Sequence, residues 1–406
     1  MTLAEHGPLT PPSSRSGFGG TQVWIVLGQV GVIAAVTLGF GAIELTRPKL
    51  LVLIMFVMTA GALLLGPARN IERVIITIPT VLYLGWWAVS YLWTYNPWIY
   101  MRETQVVLPL AVAMVVLASL LPFRDFTRAL VTACYVAIGW SVLALVLNPG
   151  EAMSHPDGAP GWRGAFEHKN GMAPFMLFAV LTILAFEDRR VLRRTGVGTA
   201  VLLVVMSQST TSMIVGSLLV ALTWFLGWVA RAPRSARAPL LLGGSVGGML
   251  VATVAMLQLP RLVQAAGKDP TLTSRTDIWS GVLEAISWRP LTGFGIGGAW
   301  VNHAAEPTRT ILRGLGFIVY HSHNGFLEIM LQLGVIGLGL FLLLLIRLAT
   351  MGLGLMSVDE STGRYVVLYC ALIALTSIAE VTTFGIWLVL LCALSSLIVR
   401  RQRNVA

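Results

Sequence analysis

The chain has 406 residues and a formal net charge of +10; 56% of its residues are hydrophobic and only 11% carry a charge. Soluble domains carry about 25% charged residues, so the composition excludes an ordinary soluble protein. It indicates an all-α protein whose helices span a lipid bilayer. The basic residues form short clusters between apolar runs, as in cytoplasmic loops. Membrane lipids, and no nucleic acid, are therefore the expected surroundings.

The apolar runs predict about twelve transmembrane helices. Residues 1–22, rich in Pro, Gly and Ser, are expected to form a disordered cytoplasmic tail. Residues 23–399 are interpreted as one transmembrane domain, and residues 400–406 as a second cytoplasmic tail. The predicted spans are 23–45, 50–66, 72–93, 105–121, 128–147, 171–187, 196–207, 211–230, 239–258, 324–347, 365–379 and 383–399.

The basic residues also predict an orientation. With the N-terminus in the cytoplasm, 17 of the 28 Lys and Arg residues lie in inside loops and tails, and both termini are cytoplasmic. Two longer loops, 148–170 and 259–323, then lie outside, the larger one between spans nine and ten. Basic residues in these two loops run against the topological bias, and an anionic substrate is one reason for their presence.

The larger loop contains two predicted features. Residues 273–290, "TSRTDIWSGVLEAISWRP", have apolar positions at helical spacing and end at Pro290, which predicts an amphipathic helix. Residues 291–300, "LTGFGIGGAW", predict a glycine-rich turn. No strand precedes this GxGG, so it does not indicate a dinucleotide site.

Three polar constellations are expected on the outside: "GWRGAFEHKNG" (161–171), "SRTDIW" (274–279) and "YHSHNGFLE" (320–328). The first and third stand where a helix enters the membrane with its N-terminus, an end that favours anions. Arginine adds bidentate binding of phosphate or pyrophosphate. A histidine at such an end is biased towards the neutral form that a general base requires.

Several of these residues also have a purely structural interpretation. Arg163 and Lys169 are equally consistent with snorkelling to the interface. His321 is also typical of an ordinary interfacial residue. Asn324 is suited to be a helix N-cap, with Glu328 complementing the helix dipole in the first turn.

Two further interpretations concern the acidic and histidine residues. Glu380, between the last two spans, is interpreted as a turn residue. A zinc site formed by His303, His321 and His323 is the weaker alternative, because residues two apart on a helix point to opposite sides. We therefore predict no metal site and no cofactor.

The stretches "SRTDIWSGVLEAISWRPLTGFGIGGAW" and "HSHNGFLEIMLQLGVIGLGLF" resemble the hallmark region of the O-antigen ligase and polymerase superfamily. These are bacterial membrane glycosyltransferases of the GT-C type. The upstream "RGAFEHKNGMA" is most similar to exopolysaccharide polymerases of the succinoglycan kind. The resemblance is strong from about 160 to 347 and implies a GT-C-like fold in the bacterial inner membrane, with the active site facing the periplasm.

The resemblance also implies an activity. The donor is a glycan on undecaprenyl pyrophosphate, and the transfer inverts the anomeric carbon without a metal. Arg275 matches the arginine that holds the pyrophosphate, and His323 matches the proposed general base. Arg163 and Lys169 fall where further basic residues contact the donor. Other expected substrate contacts are His168, Asn170, His321 and Asn324.

Three functions stay open. The first is a polymerase that joins lipid-linked repeat units into an exopolysaccharide or O-antigen, a reaction in which a chain-length regulator is a plausible partner. The second is a ligase that transfers the glycan to lipid A-core, since both share the donor chemistry. The third is a transporter of glycans, although transporters tend to place ionisable residues near mid-membrane. Here such residues gather in the outside loops.

Overall fold

The structure is a computed structural model, and it describes residues 23–40, 48–66, 72, 74–153, 161–233, 235–237, 239–240, 243–244, 272–300 and 305–405. All regular structure in these ranges is helical, which confirms the predicted all-α class. The predicted tail 1–22 lies outside the described residues. The same holds for residues 245–271, which belong to the predicted ninth span and the larger loop, and for residues 301–304.

The helices are α1 Val23–Gly39, α2 Pro48–Leu64, α3 Ile78–Val89, α4 Pro97–Leu120, α5 Phe123–Leu147, α6 Pro149–Met153, α7 Lys169–Phe186, α8 Arg190–Met206, α9 Thr210–Arg231, α10 Leu272–Trp288, α11 Thr308–Ile311, α12 Gly325–Leu355, α13 Glu360–Thr376 and α14 Gly385–Val405. Within the described ranges, α4, α5, α7, α9, α12 and α14 are long and apolar enough to cross a membrane, and α1 and α2 are shorter apolar helices. The chain is therefore a multi-pass membrane protein. The total of twelve spans stays a prediction.

Helix α10 confirms the amphipathic helix predicted over 273–290. Ile278, Val282 and Ile286 are buried on one side of it, and they pack with Ile311 and Leu331 in a small hydrophobic cluster. The helix ends shortly before Pro290, as the sequence indicates. The amphipathic face therefore packs against the helical bundle.

Helix α4 begins at Pro97, earlier than the predicted boundary at 105. The side chain of Asn96 accepts hydrogen bonds from the backbone N–H groups of Trp98 and Ile99, each at 3.0 Å, and proline suits the first helical position. Polar residues 102–104 follow, so hydropathy alone does not detect this part of the helix. The first turns of α4 consequently carry the charged side chains of Arg102 and Glu103.

Helix α12 is broken inside its apolar run. Gly334 has φ 69° and ψ −173°, which is far from helical geometry. A Cβ at this position would lie 2.0 Å from the backbone oxygen of Leu291, so only glycine fits there. A helix break in an apolar segment leaves backbone groups that need partners, because lipid provides none.

The partners come from the loop after α10, residues 290–300, which we call the glycine loop. Its backbone enters the break and pairs with both halves of α12. The hydrogen bonds are Val335 N to Pro290 O at 2.8 Å, Phe294 N to Leu331 O at 2.9 Å and Gly295 N to Gln332 O at 2.8 Å. The predicted glycine-rich turn is thus part of the membrane domain and fixes the first half of α12.

Segments that the predicted topology assigns to one face do meet in the structure. At one end of the bundle, hydrogen bonds through Asn170 and Glu380 join four segments. These are the start of α7, the turn after α8, the start of α10 and the turn after α13. At the other end, Arg401 pairs with Asp359 at 3.0 Å, and Ser361 donates to Ala185 O at 3.1 Å. The polar residues at the first end form the candidate site.

Candidate functional site

The carboxylate of Glu380 joins three of the sequence regions singled out above. Its Oε1 accepts hydrogen bonds from Asn170 Nδ2 at 2.8 Å and from Arg275 Nη2 at 3.1 Å. Its Oε2 lies 3.8 Å from His323 Nδ1. One carboxylate therefore connects the start of α7, the start of α10 and residues 320–324 before α12, which we call the histidine turn.

Sequence reasoning missed this role of Glu380. The residue does stand in a turn, where its backbone N–H donates to Thr376 O at 2.9 Å. Its side chain, however, is buried and points into the cluster. A signal was available: an acidic residue in an otherwise apolar region marks a functional candidate, and the predicted topology puts it on the same face as His323.

His323 has the geometry of a constrained functional residue. Its φ of 51° lies in the left-handed region, which is uncommon for a residue other than glycine. Its Nδ1 is buried and makes no hydrogen bond to the described residues. Glu380 Oε2 at 3.8 Å is beyond hydrogen-bond length, and a small movement brings the two atoms together. The imidazole is thus placed to gain a carboxylate partner.

The turn that carries His323 is fixed by the buried carboxylate of Glu328. This carboxylate accepts three hydrogen bonds, from Ser322 N at 2.7 Å, Trp300 Nε1 at 2.7 Å and Gln332 Nε2 at 2.6 Å. Glu328 lies in the first turn of α12, as the sequence indicates. It also links the glycine loop to the backbone between the two histidines, which sequence reasoning did not detect.

Asn324 is the N-cap of α12. Its Oδ1 accepts hydrogen bonds from Phe326 N and Leu327 N, each at 3.0 Å, and its Nδ2 donates to Ile378 O at 3.1 Å. These bonds tie the histidine turn to the segment that carries Glu380. The structural interpretation of Asn324 is therefore confirmed, and a substrate contact by this residue stays a prediction.

His321 packs beside His323, with ring centroids 4.0 Å apart. Its Nδ1 accepts a hydrogen bond from the backbone N–H of His323 at 3.3 Å, which places the proton of the neutral ring on Nε2. Burial, together with the neighbouring His323 and against an opposing effect of Glu380, lowers the pKa of His321 to about 4. His321 is therefore a neutral donor near the candidate base.

The first turn of α7 contributes Asn170 directly. His168 is the N-cap of α7, where its Nδ1 accepts a hydrogen bond from Asn170 N at 3.0 Å. Ser209 Oγ donates to Asn170 Oδ1 at 3.4 Å and so helps to orient the amide towards Glu380. Lys169 is the first residue of α7 and lies between them in sequence. The structure thus places the first turn of α7 beside Arg275 and His323.

Arg163 occupies a different place. Its guanidinium forms an ion pair with Glu151 at 3.0 Å and donates to the backbone oxygens of Glu151, Phe166 and Glu167. It lines a cavity of about 480 Å³ that is separate from the contacts of Glu380. The structure therefore brings together Arg275, His323 and Asn170, and it leaves Arg163 outside this group.

Within the ranges that the structure describes, no group of three or more His, Cys, Asp or Glu side chains is arranged to hold a metal ion. His303, the third histidine of the zinc alternative, lies outside those ranges.

The fold and the site define a multi-pass, all-helical membrane protein with a polar Arg–Glu–His cluster at one end of its bundle. Residues 195–342 match the family model described as O-antigen ligase. The matched range includes Arg275 and both histidines of the turn, whereas Glu380 and Asn170 lie beyond it. The sequence resemblance to the O-antigen ligase and polymerase superfamily is thereby confirmed.

A curated relative points in the same direction. The chain is 27% identical over 274 residues to "Exopolysaccharide production protein ExoQ" of Rhizobium meliloti (strain 1021). The alignment covers 64% of this chain and 61% of that protein. The chain is thus similar to a protein of exopolysaccharide production, over less than two thirds of that relative's length.

Proposed function

We propose that the protein is an inverting glycosyltransferase that polymerises glycan repeat units carried on undecaprenyl pyrophosphate. The observation that carries the proposal is the cluster in which Glu380 contacts both Arg275 and His323. A cation suited to pyrophosphate and an imidazole suited to proton transfer are thereby held at one place. The family match and the exopolysaccharide relative support the same class of reaction.

Arg275 is suited to bind the leaving group. Glu380 uses one terminal nitrogen of the guanidinium, and the side chain of Arg275 is 22% exposed, so it retains donors for a ligand. Guanidinium binds phosphate oxygens bidentately. In the proposed step the bond between the anomeric carbon and the pyrophosphate oxygen breaks, and the pyrophosphate leaves with the electron pair, stabilised by Arg275.

His323 is suited to activate the acceptor. In the same step an acceptor hydroxyl oxygen bonds to the anomeric carbon, and its proton passes to His323 Nε2. Attack from the side opposite to the leaving group inverts the configuration. Glu380 Oε2 near Nδ1 orients the ring and stabilises the imidazolium that forms. The step requires positioning, charge stabilisation and one base, and these are the roles that the cluster offers.

The cavity beside Arg163 supports a lipid-linked donor. Its volume of about 480 Å³ lies between α1, α2, α4 and α5. Its lining combines apolar side chains of these helices with the charged side chains of Glu151, Arg163 and Glu167. The apolar lining residues include Leu38, Leu51, Val106, Val107, Leu110 and Ile386. A cavity lined by both apolar and charged side chains suits an isoprenoid chain that carries a charged head group.

The polymerase is favoured by the exopolysaccharide relative, and the ligase is the second candidate because the matched family is described as O-antigen ligase. A strain that lacks the gene distinguishes them. Accumulation of single lipid-linked repeats supports the polymerase. Accumulation of finished lipid-linked chains together with bare lipid A-core contradicts it and favours the ligase.

Transfer by the purified protein tests the chemistry. With a synthetic lipid pyrophosphate-linked glycan as donor and an extended glycan as acceptor, we expect a longer product in the presence of a chelator. His323→Ala should abolish the product while the protein still inserts and folds, and His6→Ala is the matched control. Product formation by His323→Ala at the wild-type rate would exclude His323 as the base.

A further inference from the structure

A second cavity, of about 290 Å³, lies beside the histidine turn. We call it the aromatic pocket. Its walls come from α3, α4, the glycine loop, the histidine turn, the start of α12 and the segment before α14. Among its lining residues are four aromatic side chains and five polar ones: Trp87, Trp300, Tyr320, Phe384, Arg102, Glu103, His321, Glu328 and Gln332. Small-molecule pockets usually measure about 300–1,000 Å³, so a single ring-sized group fits here.

We propose that the aromatic pocket binds one uncharged pyranose ring of a glycan. The proposal rests on the proposed function, which supplies the glycan, and adds the place where one of its sugars is held. The feature that points to a sugar is the mixture of ring faces with paired acidic, basic and amide side chains in a pocket of this size.

The aromatic side chains suit the apolar faces of a pyranose. A sugar ring exposes C–H groups on its faces, and these pack against the electron-rich face of an aromatic ring. Trp87 is fully buried and supports Phe384 from within the core, with ring centroids 5.5 Å apart and planes at 62°. The indole of Trp300 is anchored through its hydrogen bond to Glu328. The aromatic surface is therefore held in place before any ligand arrives.

The polar side chains suit the hydroxyl edge of the ring. A hydroxyl group both donates and accepts, so it needs partners of both kinds. Glu103 accepts and Arg102 donates, and the two form an ion pair at 3.0 Å with about half of each side chain exposed. Gln332 is oriented by Gly297 N, which donates to its Oε1 at 2.9 Å. The pocket thus offers both donors and acceptors.

The same residues argue against two other ligands. A phosphate group would meet two carboxylates, Glu103 and Glu328, and Arg102, whose charge is already balanced by Glu103. A lipid chain would have to cover these charged groups without compensating their lost hydration. The cavity beside Arg163 and the guanidinium of Arg275 fit those ligands better. An uncharged hydroxylated ring is the group that fits the aromatic pocket.

His321 connects the aromatic pocket to the candidate base. Its ring lines the pocket and lies 4.0 Å, centroid to centroid, from the ring of His323. Since its Nδ1 is occupied by the backbone N–H of His323, its Nε2–H is the donor that remains for a sugar oxygen. A sugar in the pocket therefore has its hydroxyl groups close to His323.

Saturation-transfer NMR on the full-length protein in nanodiscs tests the binding, with methyl β-D-glucopyranoside and methyl β-D-galactopyranoside as probes. Tyr320→Ala removes a pocket side chain that is 67% exposed, so the fold should tolerate it. Phe317→Ala is the matched control, because Phe317 is 48% exposed in the same segment and does not line the pocket. Glu103→Gln changes a second pocket residue, and Glu284→Gln is its control outside the pocket.

We expect saturable binding of at least one glycoside by the wild type and by both control variants. The apparent Kd should rise about tenfold in Tyr320→Ala and Glu103→Gln, which corresponds to the loss of about one strong contact. Absence of glycoside binding, or equal binding by pocket and control variants, would overturn the proposal. Binding of inorganic pyrophosphate that Arg102→Gln abolishes and Arg275→Lys leaves intact would also overturn it.

Transfer kinetics identify which sugar occupies the pocket. If Tyr320→Ala raises KM for the acceptor alone, the pocket holds an acceptor sugar. If it raises KM for the donor alone, the pocket holds a donor sugar. A fall in kcat with both KM values unchanged contradicts a binding role. Glycoside binding by a protein that transfers nothing would refute the proposed function and keep the pocket. Undiminished transfer by a protein that binds no glycoside would refute the sugar-binding pocket and leave the proposed function standing.

Discussion

Arg275 Nη2 lies 3.1 Å from Glu380 Oε1, although 105 residues separate the two in the chain. Their side chains are only 22% and 12% exposed, so this ion pair is shielded from solvent in a way that surface pairs are not. His323 approaches the other oxygen of the same carboxylate. The guanidinium of Arg275 and the imidazole of His323 are therefore both positioned by Glu380. We therefore expect the binding of an anion at Arg275 to change the environment of His323.

Arg275→Lys should lower kcat/KM for transfer by about tenfold or more. Lysine keeps the charge, but it presents a point charge where the guanidinium presents a planar fork that binds two oxygens at once. The measurement is product formation from a synthetic lipid pyrophosphate-linked donor. Arg313→Lys is the control, since Arg313 lies in the same predicted loop and pairs with Glu284 at 3.7 Å on an exposed surface. Equal rates for the two variants would show that the fork has no role.

Glu380→Gln should lower kcat by about a hundredfold and change KM for the donor less. The amide keeps the shape and can still accept from Asn170, but it offers no charge to a protonated His323 or to Arg275. The pH dependence of kcat should shift as well, because the imidazolium form loses its partner. Glu284→Gln, a neutralised glutamate on an exposed surface, is the control. A wild-type pH profile in Glu380→Gln would argue that Glu380 is only structural.

The sequence predicted those helices that consist of a long run of apolar residues. Apolar runs identified α5, α7 and α9 closely, since a bilayer span needs a long uninterrupted apolar stretch. Hydropathy did not predict the start of α4, because its first turns carry Arg102 and Glu103. A pattern of apolar residues reveals burial in lipid, and it does not reveal where a capping side chain such as Asn96 starts the helix.

The site could be predicted in its parts and less well in its connections. Arg275, His323 and Asn170 were singled out because residue type and position next to a helix terminus indicate chemistry. Their link through Glu380 depends on the packing of α13 beside α7 and of α10 beside α12, which one sequence does not specify. The same holds for Gly334, whose break in α12 makes sense only with the glycine loop beside it.

Gly334→Ala should destabilise the protein and reduce transfer. The added Cβ would meet Leu291 O at 2.0 Å, and the φ of 69° is unfavourable for alanine. Gly339→Ala is the matched control in the same helix, because nothing lies within 4 Å of the Cβ that it would add. In detergent we expect the melting temperature to fall by roughly 5 °C or more for Gly334→Ala only. Equal melting temperatures would contradict the packing of the glycine loop in the break.

His321 should make stability depend on pH. Its pKa of about 4 in the folded protein is below the ordinary value of 6.5, so the unfolded chain binds more protons between these values. The stabilisation is complete above about pH 6.5 and is lost as the pH falls towards about 4. Melting temperatures at about pH 7 and pH 5 should therefore differ more for the wild type than for His321→Gln. The same pH dependence in both proteins would show that His321 titrates normally.

The proposed orientation puts the candidate site in the periplasm and both termini in the cytoplasm. Cysteine labelling tests it directly, because Cys134, Cys370 and Cys392 are all buried and should not react. Arg309→Cys and Asp188→Cys place a thiol at positions whose side chains are 66% and 87% exposed, at opposite ends of the bundle. In intact spheroplasts a membrane-impermeant maleimide should label Arg309→Cys, and it should label Asp188→Cys only after permeabilisation. The opposite pattern would place the cluster around Glu380 in the cytoplasm, where a donor presented at the periplasmic leaflet could not reach it.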